Sequence, residues 1–164
     1  MLALAIGFIV VIMQHVPAED GTSKTAITPD PALSSTPKEA TLEGKPLENF
    51  TPVDKVDALE KIDIVVGTGE EVKPGDTVTA HYTGAVAATG IVFQSSHDMG
   101  RPIPFGLNQV IKGWTDGVPG MKVGGKRRLV IPADQAYGAN PPQGAGIPAN
   151  APLVFDIEIT KVGQ

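Results

Sequence analysis

The residues of this sequence best suited to forming a ligand site are six aromatic ones: Tyr82, Phe93, Phe105, Trp114, Tyr137 and Phe155. Trp114 is the only tryptophan and stands between Gly113 and Gly117 in the stretch VIKGWTDGV. Tyr137 begins YGANPPQGAGIPANAP, a long connection of the kind that is usually functional or disordered. An apolar floor beneath a long loop is typical of a binding site for a small molecule or a peptide.

The sequence lacks the usual motifs of polar or metal catalysis. It has no cysteine, which excludes disulfides, thiolate nucleophiles and zinc-thiolate sites. His15, His81 and His97 do not have the spacing of metal ligands, and no GxSxG motif occurs. GMKVGGK fits the phosphate-loop pattern GxxxxGK, but Arg127 replaces the Ser or Thr that binds magnesium. We therefore predict neither a metal nor a cofactor.

Charge argues against one class of partner. Thirteen basic and eighteen acidic residues give a net charge of −5, whereas a nucleic-acid-binding protein needs a basic face. We therefore predict no nucleic-acid partner. The one basic cluster, Lys126-Arg127-Arg128, is interpreted as solvated strand surface.

The elements that must position the aromatic residues are mostly strands. Residues 77–83 and 153–160 alternate between apolar and polar side chains, which is typical of antiparallel strands with one buried face. Between them one short helix is predicted, with Asn108 as its N-cap and Val110, Ile111, Trp114 and Val118 on one side. A sheet with one helix against its apolar face is an α+β fold, and Trp114 is expected in the gap between them.

The N-terminal third of the chain has a different composition. Leu2 to Met13 form an apolar run of signal-peptide length, and Val16 and Ala18 fit the small-residue rule for cleavage, although no basic residues precede the run. Residues 1–18 are therefore predicted to be a signal peptide or membrane anchor, the only membrane contact of an extracytoplasmic protein. Residues 19–55 are predicted to be a disordered linker rich in Thr, Pro and Ser, and residues 56–164 the folded domain.

Six motifs in the folded part occur together in order: HYTG, VFQSS, QVIKGWTDGV, AYGA, GIP and LVFDIEI. With them the chain resembles the FKBP-type peptidyl-prolyl cis–trans isomerases over roughly its last hundred residues. Exported bacterial members of the family have a similar layout of leader, spacer and domain. The resemblance implies an antiparallel sheet of five to six strands wrapped around one short helix, and isomerisation of X-Pro bonds in an apolar pocket between them.

The resemblance also implies roles for individual residues. Catalytic positions would be Tyr82, Phe93, Gln94, Trp114, Tyr137 and Phe155. Substrate-binding positions would be Ile103, Phe105, Val110, Ile111 and Ile147. Trp114 would be the floor beneath the proline ring, while the Tyr137 hydroxyl and the Ile111 backbone N–H would donate hydrogen bonds to substrate carbonyls. The implied partners are proline-containing polypeptides and the macrolide inhibitors of the family.

Two of these positions depart from the family pattern. Gln94 replaces the aspartate that usually follows the phenylalanine of this motif, and Ile103 stands where a loop aromatic is usual. Gln94 leaves an alternative open: a module that binds proline-containing peptides or acts like a chaperone, with weak turnover. A purely structural spacer is disfavoured because the other pocket positions are retained.

Overall fold

The computed structural model describes residues 44–163, so the predicted leader and residues 19–43 of the predicted linker lie outside the described residues. The described strands and helix, in chain order, are β1 (Glu60–Val65), β2 (Thr77–Val86), β3 (Val92–Ser95), β4 (Ile103–Gly106), α1 (Lys112–Gly117), β5 (Lys126–Ile131) and β6 (Leu153–Val162). None of the helices in this part of the chain is long and apolar enough to cross a membrane.

The strands form one antiparallel sheet in the order β1-β5-β6-β2-β3, and β4 pairs with the first half of β2. The ten-residue strands β2 and β6 form the centre and pair from Val78 opposite Val162 to Val86 opposite Leu153. The second half of β2 pairs with β3, where Thr83 lies opposite Ser95. The predicted α+β fold with one short helix is therefore confirmed.

The core lies between the helix and the face of the sheet that the apolar alternation predicts. Leu153, Phe155, Ile157 and Ile159 of β6 are at most 1% exposed. Burying each such side chain stabilises the fold by about 1.5–3 kcal/mol, less the cost of ordering the chain. The intervening residues of β6 point to the other face of the sheet, called the outer face below.

The helix is shorter than the sequence pattern predicts. It begins at Lys112 with Ile111 at the N-cap, and Ile111 has an extended ψ of 150°. The prediction of Asn108 as N-cap was therefore wrong, because Val110 and Ile111 precede the helix instead of forming its first turn.

Two glycines allow this helix to lie directly on β5. A Cβ atom on Gly113 would be 2.5 Å from Ile131, and one on Gly117 would be 2.7 Å from Leu129. A side chain at either position would therefore require Ile131 or Leu129 to shift, or the helix to move away from the sheet. The spacing of four residues places both glycines on the same side of α1, and this fixes the depth at which Trp114 sits.

Residues 44–53 cross the outer face, and we call this segment the strap. Leu47 is 7% exposed and packs against Ala85, Val130 and Val154. Its backbone N–H donates to the Gly90 carbonyl at 2.7 Å. The predicted linker through residue 55 therefore differs from the structure, in which the packed chain already includes residue 44. Backbone hydrogen bonds and a few individual side chains, and not a continuous apolar face, hold the strap on the sheet. Its sequence therefore shows no apolar periodicity.

The basic cluster is also not the solvated surface that was predicted. Arg127 and Arg128 are 9% and 8% exposed. Arg127 pairs with Asp63, with Nε 2.5 Å from Oδ1, and donates to the Gly117 carbonyl at 2.8 Å. Arg128 pairs with Asp156 at 2.6 Å on the outer face. The partner of Arg127 is 64 residues away along the chain, so the interpretation from local sequence was wrong.

Candidate functional site

Trp114 is enclosed by three other aromatic rings. The indole is 2% exposed, and its ring centroid lies 5.1 Å from Phe105, 5.5 Å from Phe155 and 5.8 Å from Tyr82. All three pairs meet at interplanar angles of 69° to 87°, the edge-to-face geometry that aromatic pairs prefer. The indole is therefore held as a rigid surface by strands β2, β4 and β6.

Above the indole the protein has an apolar depression. It is lined by Val110, Ile111, Trp114, Tyr137 and Phe155. Trp114 reaches it from α1, Phe155 from β6, and Tyr137 from the long connection between β5 and β6. The wide separation of these residues in the sequence means that the sheet topology, and not a local motif, assembles this depression.

A groove of about 290 Å³ adjoins the depression at Tyr137, which lines both. Phe93 and Gln94 of β3 form one wall of the groove. The loop from Pro142 to Ile147 forms the other wall. The depression itself is small, about 10 Å³, so the groove supplies most of the open volume beside Tyr137.

Gly84 explains how two rings can stand side by side at this wall. A Cβ atom at Gly84 would be 2.6 Å from Phe155 Cε1 and 2.7 Å from Phe93 Cζ. Those two rings meet edge to face, with centroids 5.8 Å apart. Both rings pack directly against the backbone of β2 at this position. A side chain in place of the glycine of HYTG would therefore displace a ring.

The phenols of the site stay protonated well above neutral pH. Burial, together with a smaller effect of the nearby Tyr137, raises the pKa of Tyr82 to about 12. Burial also raises the pKa of Tyr137. Each hydroxyl is thus available as a hydrogen-bond donor across the neutral range.

Two N–H groups beside the depression, one of a side-chain ring and one of the backbone, have no hydrogen-bond acceptor among residues 44–163. One is Nε1 of Trp114, which is buried. The other is the backbone N–H of Ile111, just before the helix. A buried donor without an acceptor, such as this indole N–H, is uncommon in native proteins.

The structure brings most of the predicted site residues together, in two layers. Five line the depression, and Phe93, Gln94 and Ile147 line the adjoining groove. Tyr82 and Phe105 lie behind Trp114 and support its edges. Ile103 is placed differently: it pairs with Ala80 in the β2–β4 ladder and lines neither cavity.

Ser96 is a supporting residue that sequence reasoning did not identify. It is 0% exposed, and its Oγ accepts a hydrogen bond from the Tyr82 N–H at 2.9 Å and donates to the Tyr82 carbonyl at 3.3 Å. The serine thereby fixes the end of β3 against β2 beside a site tyrosine. A polar residue directly after a short strand in VFQSS was the available signal.

A larger cavity, about 660 Å³, lies on the outer face beside the strap. Its lining includes His81, His97, Lys126 and Glu158, and the two imidazoles stack with centroids 4.5 Å apart. Within residues 44–163 no three His, Asp or Glu side chains converge as a metal-binding group. The smaller, aromatic depression is the stronger candidate site because it unites a rigid ring surface with unpaired donors.

Comparison with known proteins identifies one family. A family model described as FKBP-type peptidyl-prolyl cis-trans isomerase matches residues 68–160. A probable FK506-binding protein of Corynebacterium glutamicum is 49% identical over 98 residues, which are 59% of this chain and 80% of the relative. Peptidyl-prolyl cis-trans isomerase FPR2 of Saccharomyces cerevisiae is 52% identical over 91 residues, covering 54% of this chain and 67% of the relative.

Among solved structures, FkpA from Escherichia coli matches with a TM-score of 0.58 and 42% identity, over 64% of this chain. This chain covers 48% of FkpA, so about half of that protein has no counterpart in the match. The strap precedes the residues that the family model matches.

Proposed function

Because the chain belongs to the FKBP-type peptidyl-prolyl cis–trans isomerases, we propose that its catalysis takes place in the depression above Trp114. The observation that carries this proposal is the shared lining of the depression by Trp114 and Tyr137. A flat, rigid ring beneath an apolar opening is suited to the ring of a prolyl residue.

The proposed mechanism is transfer of the X-Pro amide into an apolar surrounding. Resonance places positive charge on the amide nitrogen and negative charge on its oxygen, and rotation must cross a barrier of about 18–20 kcal/mol. The twisted amide is less charge-separated than the planar one. An apolar pocket that excludes water therefore destabilises the planar state more than the transition state, which accelerates rotation. No nucleophile, general base or metal is needed.

Two donors at the edge of the depression would orient the substrate. Tyr137 remains a phenol at neutral pH, since burial raises its pKa. The Ile111 N–H has no acceptor among the described residues. We assign both to substrate carbonyl oxygens, where each hydrogen bond would contribute about 0.5–1.5 kcal/mol net.

The substrates we propose are polypeptides with an apolar residue before proline. Support comes from the adjoining groove, whose lining includes Phe93, Ala145 and Ile147. Relatives carry the name FK506-binding protein, and we propose that the same depression accepts such macrolides.

The decisive experiment measures isomerisation of Phe-Pro and Leu-Pro peptides by the full chain, in a protease-coupled or NMR exchange assay. We expect catalysis, and a fall in kcat/KM of about tenfold or more for Trp114→Leu, which removes the flat floor. Leu107→Ala is the control, because Leu107 is 0% exposed but lines neither cavity. Full activity of the Trp114 variant would refute the proposed site.

The alternative, a proline-peptide-binding module with weak turnover, rests on Gln94. It predicts that the wild-type chain binds these peptides in calorimetry while barely accelerating their isomerisation, and that Gln94→Asp raises kcat strongly. We favour catalysis because Gln94 lines the groove and not the depression itself.

We also propose that the protein works outside the cytoplasm, exported or anchored by residues 1–18. Support comes from the apolar run Leu2–Met13 and the small residues Val16 and Ala18. Isomerisation of X-Pro bonds takes tens to hundreds of seconds without catalysis, which can limit the folding of exported chains. Mass determination of the mature N-terminus tests this: cleavage after Ala18 indicates a signal peptide, and an intact N-terminus in the membrane fraction indicates an anchor. An intact N-terminus in the cytosol would refute the proposal.

A further inference from the structure

The strap is attached to the strand that carries one wall of the groove. The Val92 N–H, at the first residue of β3, donates to the Lys45 carbonyl at 2.9 Å. The Leu47 N–H donates to Gly90 in the turn just before β3, and Pro46 forms an isolated antiparallel bridge with Ile91. The start of β3 is therefore held between β2 on one side and the strap on the other.

β3 needs this second partner because its own pairing is short. It has four residues, lies at the end of the sheet, and pairs with β2 through three residue pairs interrupted by a bulge. Its side chains at Phe93 and Gln94 form the wall of the groove. A small shift of β3 would thus move a ring that stands against Phe155 in the depression.

One side chain, Arg128, fastens the strap to the sheet. Its guanidinium donates to the backbone carbonyls of Glu48, at 2.8 Å, and of Asn49. It also forms a bidentate pair with Asp156, at 2.6 and 2.8 Å, which raises the pKa of Arg128. Its Cζ atom lies 5.6 Å from the Phe50 ring centroid, within cation–π range.

The turn of the strap is shaped for this contact. Asn49 has a left-handed backbone with φ of 52°, an uncommon conformation for a residue other than glycine. Its carbonyl and that of Glu48 both meet the same guanidinium. Arginine suits this position because its fixed fork of donors can satisfy a carboxylate and two carbonyls together.

We infer that Arg128 is a positioning residue for the isomerase site: by fastening the strap to β5 and, through Asp156, to β6, it fixes β3 and with it the Phe93 and Gln94 wall. The inference rests on the proposed function. Arg128 itself lines neither the depression nor the groove and acts only through the strap.

The test uses Arg128→Lys, which keeps a positive charge beside Asp156 but cannot reach both carbonyls. We expect kcat to fall about tenfold, the scale on which small displacements of a catalytic wall act. We also expect faster amide hydrogen exchange at Val92. Val72→Ala is the control for general destabilisation, because Val72 is 1% exposed and bonds to Gly120 and Met121 and not to the strap or β3.

A reversible tether separates positioning from mere stability. The chain has no cysteine, so Pro46→Cys with Ile91→Cys would join the bridged pair of strap and turn by a single disulfide. In the Arg128→Lys background the oxidised tether is expected to restore kcat, and reduction of the same sample to abolish the gain. If Arg128→Lys does not fold, Leu47→Ala loosens the strap without changing charge, and the same tether should rescue it.

The outcomes separate the two claims. An inactive wild-type chain refutes the proposed function and the inference with it. An active wild type with an unchanged Arg128→Lys variant refutes the inference alone. A variant whose loss of kcat the tether does not reverse also refutes it, because the strap would then not be the route by which Arg128 acts.

Discussion

Substitution of Gly84 by alanine is expected to damage stability and activity through one identifiable displacement. The new Cβ would be 2.6 Å from Phe155 and 2.7 Å from Phe93, whereas ordinary contact begins at 3.4 Å. To regain ordinary contact, the rings would have to withdraw by 0.8 Å (3.4 − 2.6) and 0.7 Å (3.4 − 2.7). Because Gly84 does not have a positive φ, alanine fits its backbone and the effect is purely steric.

The size of the effect follows from where the rings can go. Phe155 is 1% exposed and already stands against Trp114, so it cannot yield easily. Overpacking of a full core typically costs about 1–3 kcal/mol in the free energy of unfolding. Displacement of a catalytic wall by nearly 1 Å can lower the rate up to about a hundredfold, so we expect kcat/KM to fall by about ten- to a hundredfold.

The assay combines urea unfolding with isomerisation kinetics on Leu-Pro peptides. Gly106→Ala is the matched control, because that strand glycine meets only the side-chain ends of Asn108 and Gln109, at 3.1 and 3.3 Å. Adding Phe93→Leu to the Gly84 variant removes one of the two clashing rings. The pair should therefore show a favourable coupling energy in a double-mutant cycle. Wild-type stability and kcat/KM in Gly84→Ala would refute the packing argument.

Three further results are expected. The rate should be nearly flat from about pH 6 to 8, since no side chain lining the depression titrates there; a bell-shaped profile would contradict the mechanism. The folded-state pKa of Tyr82, about 12, exceeds its unfolded value of 10.0, so its contribution to stability is complete below about pH 10 and is lost as the pH rises toward 12. Urea unfolding at successive alkaline pH values measures this loss, which should be smaller in Tyr82→Phe. Gln94→Asp should leave kcat within a small factor of wild type, because position 94 lies outside the depression; a large rise in the peptide assay would favour the weak-turnover alternative.

The sequence predicted the parts of the fold that repeat with a regular period. The alternation along β2 and β6 is strong because one face is buried and the other is not, and both strands are found where they were expected. The convergence of Trp114 and Tyr137 could be expected only from the family resemblance. Their meeting depends on the long connection folding back over α1, and no local pattern encodes that contact.

The parts that could not be predicted depend on contacts between residues far apart in the sequence. Arg128 meets Asn49 and Glu48 across 79 and 80 residues, so neither the strap nor the buried arginine has a local signature. The start of α1 was misplaced for a different reason. Val110 and Ile111 have helical spacing relative to Trp114, but they line the depression from the segment just before the helix.

Strand β6 connects the proposed site and the strap through its two faces. Phe155 points into the depression, and its neighbour Asp156 points to the outer face and pairs with Arg128. Because successive side chains of a strand alternate, fixing one of these residues in register also fixes the other. A slip of one residue would place the carboxylate in the apolar depression and the ring beneath the strap. The same strand therefore carries a residue of the proposed site on one face and, on the other, the carboxylate that holds Arg128, the anchor of the strap.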